Sequence, residues 1–255
     1  MVLRIDGHAF HRLSEEHNFE KPNDEGALQL MDHAARDVMN EFKDIVLAFG
    51  ESDEYSFLFR RSTALYNRRE AKILTTLTSL FTSSYVFNWS KYFPETPLKY
   101  CPSFDGRIVL YPSATVVRDY FSWRQADTHI NNLYNTVFWA LVLKGGQTTT
   151  EAHATLRGTV SSQKHEMLFS RFGVNYNDLP ARFRKGSIVV REEITTSVQG
   201  VDGVVAASGA EGVVPPTTPQ STLKTKVRTR TTVELYHCDI IGDEFWDSRP
   251  NLLAD

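Results

Sequence analysis

The order of strand and helix signals in the first 112 residues is the feature that most limits how this chain can fold. Short runs of β-branched and aromatic residues alternate with longer stretches whose apolar residues recur at helical spacing. The segments in order are a strand over 2–5, a helix over 24–42, strands over 45–49 and 55–59, a helix over 66–89 and a strand over 107–111. This β-α-β-β-α-β order predicts a ferredoxin-like α+β fold whose antiparallel sheet has its first and third strands side by side.

Acidic residues stand at the ends of the two strands that this fold makes neighbours. The first predicted strand ends at Asp6-Gly7, where glycine allows a sharp turn into a loop, and Asp53 and Glu54 open the third. We therefore expect Asp6 and Asp53 to meet at one edge of the sheet. Glu54 follows Asp53, so alternation directs it to the other face or the rim unless the turn rotates it. Either acidic segment alone fits a polar turn, but the predicted convergence of the two segments favours a functional site.

The residue types at this edge suit a pair of hard metal ions. Magnesium prefers oxygen ligands, and nucleotidyl transfer needs ions that hold phosphate oxygens and acidify an attacking hydroxyl. Asp6, the carbonyl of Gly7 and Asp53 meet that demand, with Glu54 as a weaker catalytic candidate. The pattern predicts a site for two Mg²⁺ ions and the chemistry of phosphate transfer.

Donors for a triphosphate follow the first carboxylate. The segment from Gly7 to His11 offers backbone N–H groups, and His11, Lys21 and Ser52 offer side-chain donors. Lys21 equally fits a surface lysine beside a proline. His8 and His11 have no second pair of histidines or cysteines that would complete a zinc site.

Helical patterns dominate the second half of the chain. They cover 116–144 and shorter pieces at 151–156 and 163–172, which predicts a palm-like domain over 1–112 and a mainly helical region over 113–255. A Gly-, Pro- and Thr-rich stretch at about 195–222 predicts a flexible loop. Four basic residues at alternate positions then predict either a solvated strand face or a phosphate-contacting stripe: Lys224, Lys226, Arg228 and Arg230.

Charge and cysteine content exclude several classes of protein. A net charge of -3 argues against coating nucleic acid by bulk positive charge, so any RNA contact is expected to be local. Cys101 and Cys238 cannot form a disulfide framework, which agrees with a reducing compartment. No run approaches the roughly 20 apolar residues of a membrane span. We expect an intracellular protein of the cytoplasm or nucleus, with no membrane partner.

Motifs along nearly the whole chain resemble the tRNA-His guanylyltransferase family. Arg4-Ile-Asp-Gly-His-Ala-Phe-His11 resembles its first metal and nucleotide motif, and Gly50-Glu-Ser-Asp-Glu-Tyr-Ser-Phe57 is similar to its second carboxylate motif. Further similar segments are 19–24, 120–135, 164–169 and 175–177, and the 237–246 tail looks eukaryotic. The chain is identified as a fungal-like member of these 3′-5′ nucleotidyltransferases.

The resemblance implies a polymerase-type palm that adds guanosine to the 5′ end of tRNA-His. ATP would activate the RNA, GTP would supply the guanosine, and the family's homotetramer would be the assembly. The nucleotide contacts it implies are Asp6, Gly7, His8, Ala9, Phe10, His11, Lys21, Ser52 and Asp53. The tRNA contacts it implies are Arg69, Lys72, His129, Asn131 and Lys164.

The sequence departs from the family in three places. His8 stands where Arg or Lys is common, the 195–221 stretch is longer than the family needs, and the chain begins just before the first catalytic strand. Full activity and assembly are therefore open expectations.

Other functions also fit parts of the pattern. An RNA-binding protein without catalysis would use sheet aromatics, here Tyr55, Phe57 and Phe59, although these are also expected as core beneath the helices. A nucleotide cyclase would share the palm and the aspartate pair, but it leaves the helical half without an explanation.

Overall fold

An antiparallel sheet in the order β4-β1-β3-β2-β5-β6 forms the centre of the computed structural model. The structure describes residues 1–198 and 226–254, and side-chain surroundings for 1–192 and 231–254. The strands are β1 (Val2–His8), β2 (Ile45–Glu51), β3 (Glu54–Phe59), β4 (Ser103–Val109), β5 (Ser187–Val198) and β6 (Lys226–Tyr236). β1 pairs with β3 and β4, which confirms the predicted adjacency of the first and third strands.

Helices flank the sheet on both faces. They are α1 (Phe10–Glu16), α2 (Glu25–Glu41), α3 (Glu70–Tyr92), α4 (Ala114–Leu143), α5 (Thr149–Leu156), α6 (Ser161–Phe172), α7 (Ala181–Lys185) and α8 (Asp243–Asp247). Short 3₁₀ helices lie at Leu65–Arg68, Tyr176–Asp178 and Pro250–Leu252. Every helix predicted from periodicity is present with shifted ends, whereas α7 and α8 are too short to show a period.

The prediction that β1 ends at Asp6-Gly7 and is followed by a loop is wrong. Gly7 lies within β1, where its N–H donates to the Asp53 carbonyl at 2.9 Å and its Cα is opposite that of Phe104. The chain turns at Ala9, whose φ of 55° is in the left-handed region, and α1 begins at the next residue. Strand β4 begins at Ser103 rather than at the predicted residue 107, because its pairing with β1 includes the earlier residues.

One face of the sheet packs beneath α2 and α3. Tyr55, Phe57 and Phe59 are fully buried there and contact the same core as Leu77 and Phe81. The aromatic residues of β3 are therefore core, as expected, and give no exposed platform for stacking RNA bases.

The other face of the sheet packs against α4 and the C-terminal segment. Its core joins Leu47, Phe49 and Leu58 of the sheet to Phe121 of α4 and Trp246 of α8. A third cluster lies among α4, α5 and α6 and contains Leu133, Val137, Leu156 and Leu168. Helix α4 contributes to both clusters because 30 residues carry it past the end of the sheet.

By contacts, residues 1–191 and 233–255 form one compact unit, and 192–232 form a second unit that contains the outer parts of β5 and β6. The boundary at residue 112 stays a prediction. In the region predicted as a loop, residues 195–198 belong to β5 and the rest lies outside the described residues, as does Lys224. Within the described ranges, the helices include none with the length and apolarity to cross a membrane.

Candidate active site

Strand pairing brings the predicted carboxylates together at one end of β1 and β3. The Cα of Asp6 is the register partner of Glu54, and the next residue, Gly7, donates its N–H to the Asp53 carbonyl. Ser52 and Asp53 form a two-residue turn between β2 and β3, with Ser52 at a φ of 49°. The positions of Asp6, Gly7 and Asp53 are thus fixed by backbone hydrogen bonds.

Close packing at two glycines shapes this edge. A Cβ at Gly7 would lie 2.3 Å from Cδ2 of Phe10, and one at Gly50 would lie 2.2 Å from Cε2 of Tyr55. Both separations are far below a normal contact, so either ring would have to move. The rings of Phe10 and Tyr55 therefore pack directly against the backbone of the site at Gly7 and Gly50.

A chain of arginine–carboxylate contacts runs along the α4 face of the sheet. Arg4 donates to Asp6 at 2.6 Å and also to Glu54. Arg124 of α4 donates to Glu54 at 2.7 Å and to Asp127 at 3.1 Å, and its Nη1 lies 3.4 Å from Glu51. Glu54, the weaker candidate from alternation, therefore shares a face with Asp6 and contacts two arginines.

Arg124 is the centre of this network. Its side chain is only 3% exposed, and its guanidinium carbon lies 3.7 Å from the centre of the Trp123 ring. Burial alone would lower the pKa of Arg124, but the hydrogen bond and charge of Glu54, with the nearby carboxylates, outweigh it and raise the pKa. Arg124 is therefore always charged here, and it neutralises carboxylates that would otherwise repel one another.

Asp53 differs from its neighbours because no lysine or arginine in the described part of the chain pairs with it. Its carboxylate accepts a hydrogen bond from Ser52 Oγ at 3.0 Å. Burial raises the pKa of Asp53, the Ser52 hydroxyl opposes this, and the charges of Asp6 and Glu54 raise it further. Burial likewise raises the pKa of Glu51 to about 7. The edge carries more negative than positive charge, which favours a bound cation.

The donor set fits an ion that keeps water or substrate ligands. Asp6 and Asp53 supply carboxylate oxygens and Gly7 supplies a carbonyl. Across residues 1–198 and 226–254, no group of three or more His, Cys, Asp or Glu side chains is placed to hold a metal ion, so any ion here would depend on two carboxylates with backbone, water or substrate oxygens. Two carboxylates with open positions are typical of magnesium sites that also bind phosphate oxygens.

Two cavities meet at the turn formed by Ser52 and Asp53. The first, of about 580 Å³, extends between this turn and α4, and its wall includes Glu54, Trp123 and Asn131. The second, of about 350 Å³, extends towards α1 and α2 on the other side. Asp53 thus borders two spaces, each of a size that accepts a nucleotide-like ligand.

The second cavity contains most of the predicted nucleotide contacts. Those that line it are Phe10, His11, Lys21, Ser52 and Asp53. Asp6, Gly7, His8 and Ala9 line neither cavity, and His8 and Ala9 are exposed. Lys21 donates to Ser14 at 3.1 Å, and its Nζ lies 5.6 Å from the Trp139 ring centre. Lys21 therefore faces the cavity rather than open solvent.

The predicted tRNA contacts fall into three places. Asn131 lines the first cavity. His129 packs near His165, with ring centres 6.3 Å apart, and Lys164 donates to the Thr159 carbonyl at 2.7 Å. Burial lowers the pKa of His129, and the nearby positive groups of His165, Arg184 and Lys185 lower it further.

Arg69 and Lys72 lie at the opposite end of α3 from the site. Arg69 is the N-cap of α3, and Lys72 Nζ lies 4.9 Å from the Tyr66 ring centre. Tyr85, which lines the second cavity with Asp53, is about 24 Å from Arg69 along the helix axis. These two residues do not belong to the carboxylate site of the same chain.

Sequence reasoning missed several residues of the site. They are Arg4, Glu51, Asp105, Arg124 and Asp127, of which Asp105 is the register partner of Asp6 on β4. For Arg124, the sequence did contain a signal. Val117, Phe121, Arg124 and Thr128 follow helical spacing on one face of α4, which places a charged residue in an apolar stripe. A buried arginine of this kind requires carboxylate partners.

Comparison with known proteins assigns both halves of the chain to one family. Residues 1–112 match the family described as tRNAHis guanylyltransferase, and residues 115–242 match the Thg1 C-terminal domain. The tRNA(His) guanylyltransferase of Schizosaccharomyces pombe is 51% identical over 99% of this chain and 89% of its own length. The probable tRNA(His) guanylyltransferase of Homo sapiens is 49% identical over 100% of this chain and 82% of its own.

Solved structures agree with the sequence comparison. The crystal structure of tRNA(His) guanylyltransferase from Saccharomyces cerevisiae aligns with a TM-score of 0.72 and 53% identity, over 74% of this chain and 84% of that one. A bacterial Thg1-like protein in complex with ATP aligns with a TM-score of 0.63 at 23% identity, covering 74% of this chain and 78% of that chain, a likeness of fold. This chain belongs to the tRNA(His) guanylyltransferase family of nucleotidyltransferases.

Proposed function

We propose that this protein adds a guanosine to the 5′ end of tRNA-His by nucleotidyl transfer in the 3′-5′ direction, with ATP and GTP as substrates. The observation that carries the proposal is the pairing of β1 with β3, which sets Asp6 and Gly7 beside Asp53, the residue that borders both cavities. Family membership over nearly the full chain supports the choice of tRNA-His. The sheet with carboxylates at one strand edge is the arrangement expected of a polymerase-type palm.

The reaction consists of two nucleotidyl displacements at phosphorus, followed by a hydrolysis. An oxygen of the RNA 5′-monophosphate attacks the α-phosphorus of ATP, and pyrophosphate leaves. The 3′-hydroxyl of GTP then loses its proton and attacks the activated 5′-phosphate, so that AMP leaves. Hydrolysis finally removes pyrophosphate from the added residue. Each displacement brings anionic groups together, so catalysis depends on positioning and on charge neutralisation.

Asp6 and Asp53, with the Gly7 carbonyl, would hold two magnesium ions. When bound, the ions would neutralise phosphate oxygens and acidify the attacking hydroxyl. Arg4 holds the Asp6 and Glu54 carboxylates in place, and Glu54 is in turn held by Arg124. Glu54 thus acts in positioning, because both of its oxygens already accept hydrogen bonds from arginines.

The cavities suggest how two substrates reach one pair of carboxylates. In the second cavity, Lys21 and His11 would donate to a triphosphate, near the backbone that runs from Asp6 to His11. The first cavity would receive the other substrate. Asn131, His129 and Lys164 would contact the tRNA beyond it. Arg69 and Lys72 would contact RNA or triphosphate well away from the carboxylates of their own chain.

The proposal extends to assembly, from the resemblance to the family, and to location, from the cysteine content of the chain. We propose a homotetramer in the cytoplasm or nucleus, with residues 1–112 as the catalytic palm and residues 113–255 as the tRNA-contacting region.

The proposal is tested with 5′-monophosphorylated tRNA-His, ATP, labelled GTP and magnesium. We expect the wild type to lengthen the RNA by a guanosine and Asp53→Asn to lose at least about 100-fold in rate, because a neutral amide binds magnesium poorly. Asp119→Asn is the matched control, since Asp119 is exposed on α4 and lines neither cavity.

Three results would change the assignment. Equal extension by Asp53→Asn would remove Asp53 from the metal site. A wild type that binds the RNA and leaves its length unchanged would be an RNA-binding protein without catalysis. Formation of a cyclic nucleotide in the absence of RNA would indicate a cyclase.

A further inference from the structure

Trp123 is a large apolar side chain that lies exposed in the wall of the first cavity. It is 55% exposed, and it lines the same space as Asp53 and Glu54. Tryptophan is normally largely buried, so an indole left open beside a polar site indicates a binding role.

The ring of Trp123 is held in place from one side. The Arg124 guanidinium lies 3.7 Å from its centre, and that guanidinium is itself fixed by hydrogen bonds to Glu54 and Asp127. A cation against one face of an aromatic ring is attractive. The indole is therefore a supported, flat surface whose position is tied to the carboxylate site.

The neighbouring wall is polar, and its arginines are paired with carboxylates. Arg182 pairs with Asp32, while Arg124 pairs with Glu54 and Asp127. Trp123, Asp127, Asn131 and Asn135 recur every four residues along α4 and line the cavity as one stripe. In the described part of the chain, the amides of Asn131 and Asn135 make no hydrogen bond. This wall offers a ligand an aromatic face and free amides rather than unpaired positive charge.

These properties together select the class of ligand. An anion such as phosphate would favour unpaired positive charge, which this wall lacks, and a wholly apolar ligand would leave the amides without partners. A nucleobase is flat, uncharged and rimmed with donors and acceptors, so it satisfies both the ring and the amides.

We propose that Trp123 is a stacking platform for a nucleobase in the first cavity, with Asn131 and Asn135 positioned to contact the edge of that base. The base belongs either to a nucleoside triphosphate or to the 5′ nucleotide of the RNA. The choice of these two ligands rests on the proposed function.

Equilibrium binding of ligands with and without the base tests the proposal. In one arm, GTP and ATP are each compared with ribose 5-triphosphate in the absence of RNA. In the other, 5′-monophosphorylated tRNA-His is compared with the same RNA carrying an abasic 5′ nucleotide, in the absence of triphosphates. The proteins are wild type, Trp123→Leu, Trp123→Tyr and the control Phe87→Leu, whose exposed aromatic ring lies on α3 outside the cavity.

In one of the two arms we expect Trp123→Leu to weaken binding of the base-bearing ligand roughly tenfold and to leave binding of the abasic ligand unchanged. Trp123→Tyr should retain most of the affinity, because tyrosine still stacks. Phe87→Leu should match the wild type. The arm that responds identifies whether the base comes from the triphosphate or from the RNA.

Two results would overturn the proposal. If Trp123→Leu weakens base-bearing and abasic ligands equally, the ring acts by holding Arg124 and not by stacking. If neither arm responds, the exposed ring has no role in binding a base. Neither measurement requires turnover, so a wild type that fails to transfer guanosine would count against the proposed function and leave this test intact.

Discussion

At the scale of single residues, Arg124 decides how the carboxylates of the site coexist. Glu51 and Glu54 both lie within reach of its Nη1, and Asp127 is bonded to its Nη2. Glu54 also accepts from Arg4, whereas Asp53 has no arginine or lysine partner among the described residues. The two adjacent acidic residues therefore have different surroundings, since Glu54 is held by two arginines, whereas the carboxylate of Asp53 accepts from the Ser52 hydroxyl.

Replacing Arg124 should lower both the stability of the protein and its transfer rate. Arg124→Gln leaves buried carboxylates without their cation, so we expect the free energy of unfolding to fall by about 3–5 kcal/mol and the transfer rate to fall with it. Urea unfolding and a guanosine-transfer assay measure the two effects. Arg124→Lys should recover only part of each, because an ammonium cannot bond several carboxylates at once in a planar geometry.

Arg118→Gln is the control on the same helix. Arg118 pairs with Asp243 at the surface, where ion pairs contribute little. If Arg118→Gln destabilised the protein as much as Arg124→Gln, burial of Arg124 would not be the cause.

At the scale of elements, the connection from β1 to α1 places an aromatic ring against the backbone of the site. Sequence patterns suggested a loop after Gly7, but the strand continues to His8 and α1 starts at Phe10. The ring of Phe10 then folds back onto Gly7 and packs against Tyr85 and Phe104. Glycine at position 7 is needed for this close approach rather than for a turn, since the turn occurs at Ala9.

Gly7→Ala should disrupt the connection from β1 to α1. The new methyl would meet the Phe10 ring, so we expect a loss of about 1–3 kcal/mol in the free energy of unfolding and weaker transfer, because Gly7 also bonds Asp53. Thermal or urea unfolding measures the loss.

The double variant Gly7→Ala/Phe10→Leu tests the reason. A smaller, more adaptable side chain should relieve the clash, so the double variant should be more stable than the sum of the single effects predicts. Strict additivity would show that the ring is not the obstacle.

At the scale of the whole molecule, α4 joins the end of α7 to the C-terminal segment through a buried glutamine. Gln125 donates to the carbonyls of Lys185 and Cys238 at 2.8 and 2.9 Å, and it accepts from the N–H of Ile240 at 2.9 Å. Three backbone groups from two distant segments thus depend on one side chain. The neighbouring Arg124 is positioned by the same turn of helix.

Gln125→Leu should loosen these connections. It leaves buried carbonyl and N–H groups unpaired, so we expect the free energy of unfolding to fall by about 3 kcal/mol. Urea unfolding is the measurement, with Gln29→Leu on the surface of α2 as a control expected to change stability by no more than about 0.5 kcal/mol. A similar effect of both changes would exclude a special role for the Gln125 hydrogen bonds.

Much of the architecture was predictable because periodicity reports local structure directly. The helices of 24–42 and 116–144 and the hairpin of β2 and β3 have strong patterns, and they occur where expected. Element ends were less predictable, since pairing with a neighbouring strand extends β1 and β4 beyond their local signals. The α1 helix was missed because its seven residues give two turns and one buried side chain, Leu13.

The sequence by itself determined that the first and third strands are neighbours, that Asp6 meets the β2–β3 turn, and which family the chain resembles, because each follows from local patterns or from motifs read directly from residues. Only the tertiary structure revealed the bonds of Arg4 and Arg124 to Glu54 of β3, and the place of Trp123 in the wall of the first cavity. Long-range charge pairing depends on the three-dimensional neighbours of a side chain, and no spacing along one segment encodes it. The pairing of Arg124 with Glu54 is therefore visible only when α4 is seen against the sheet.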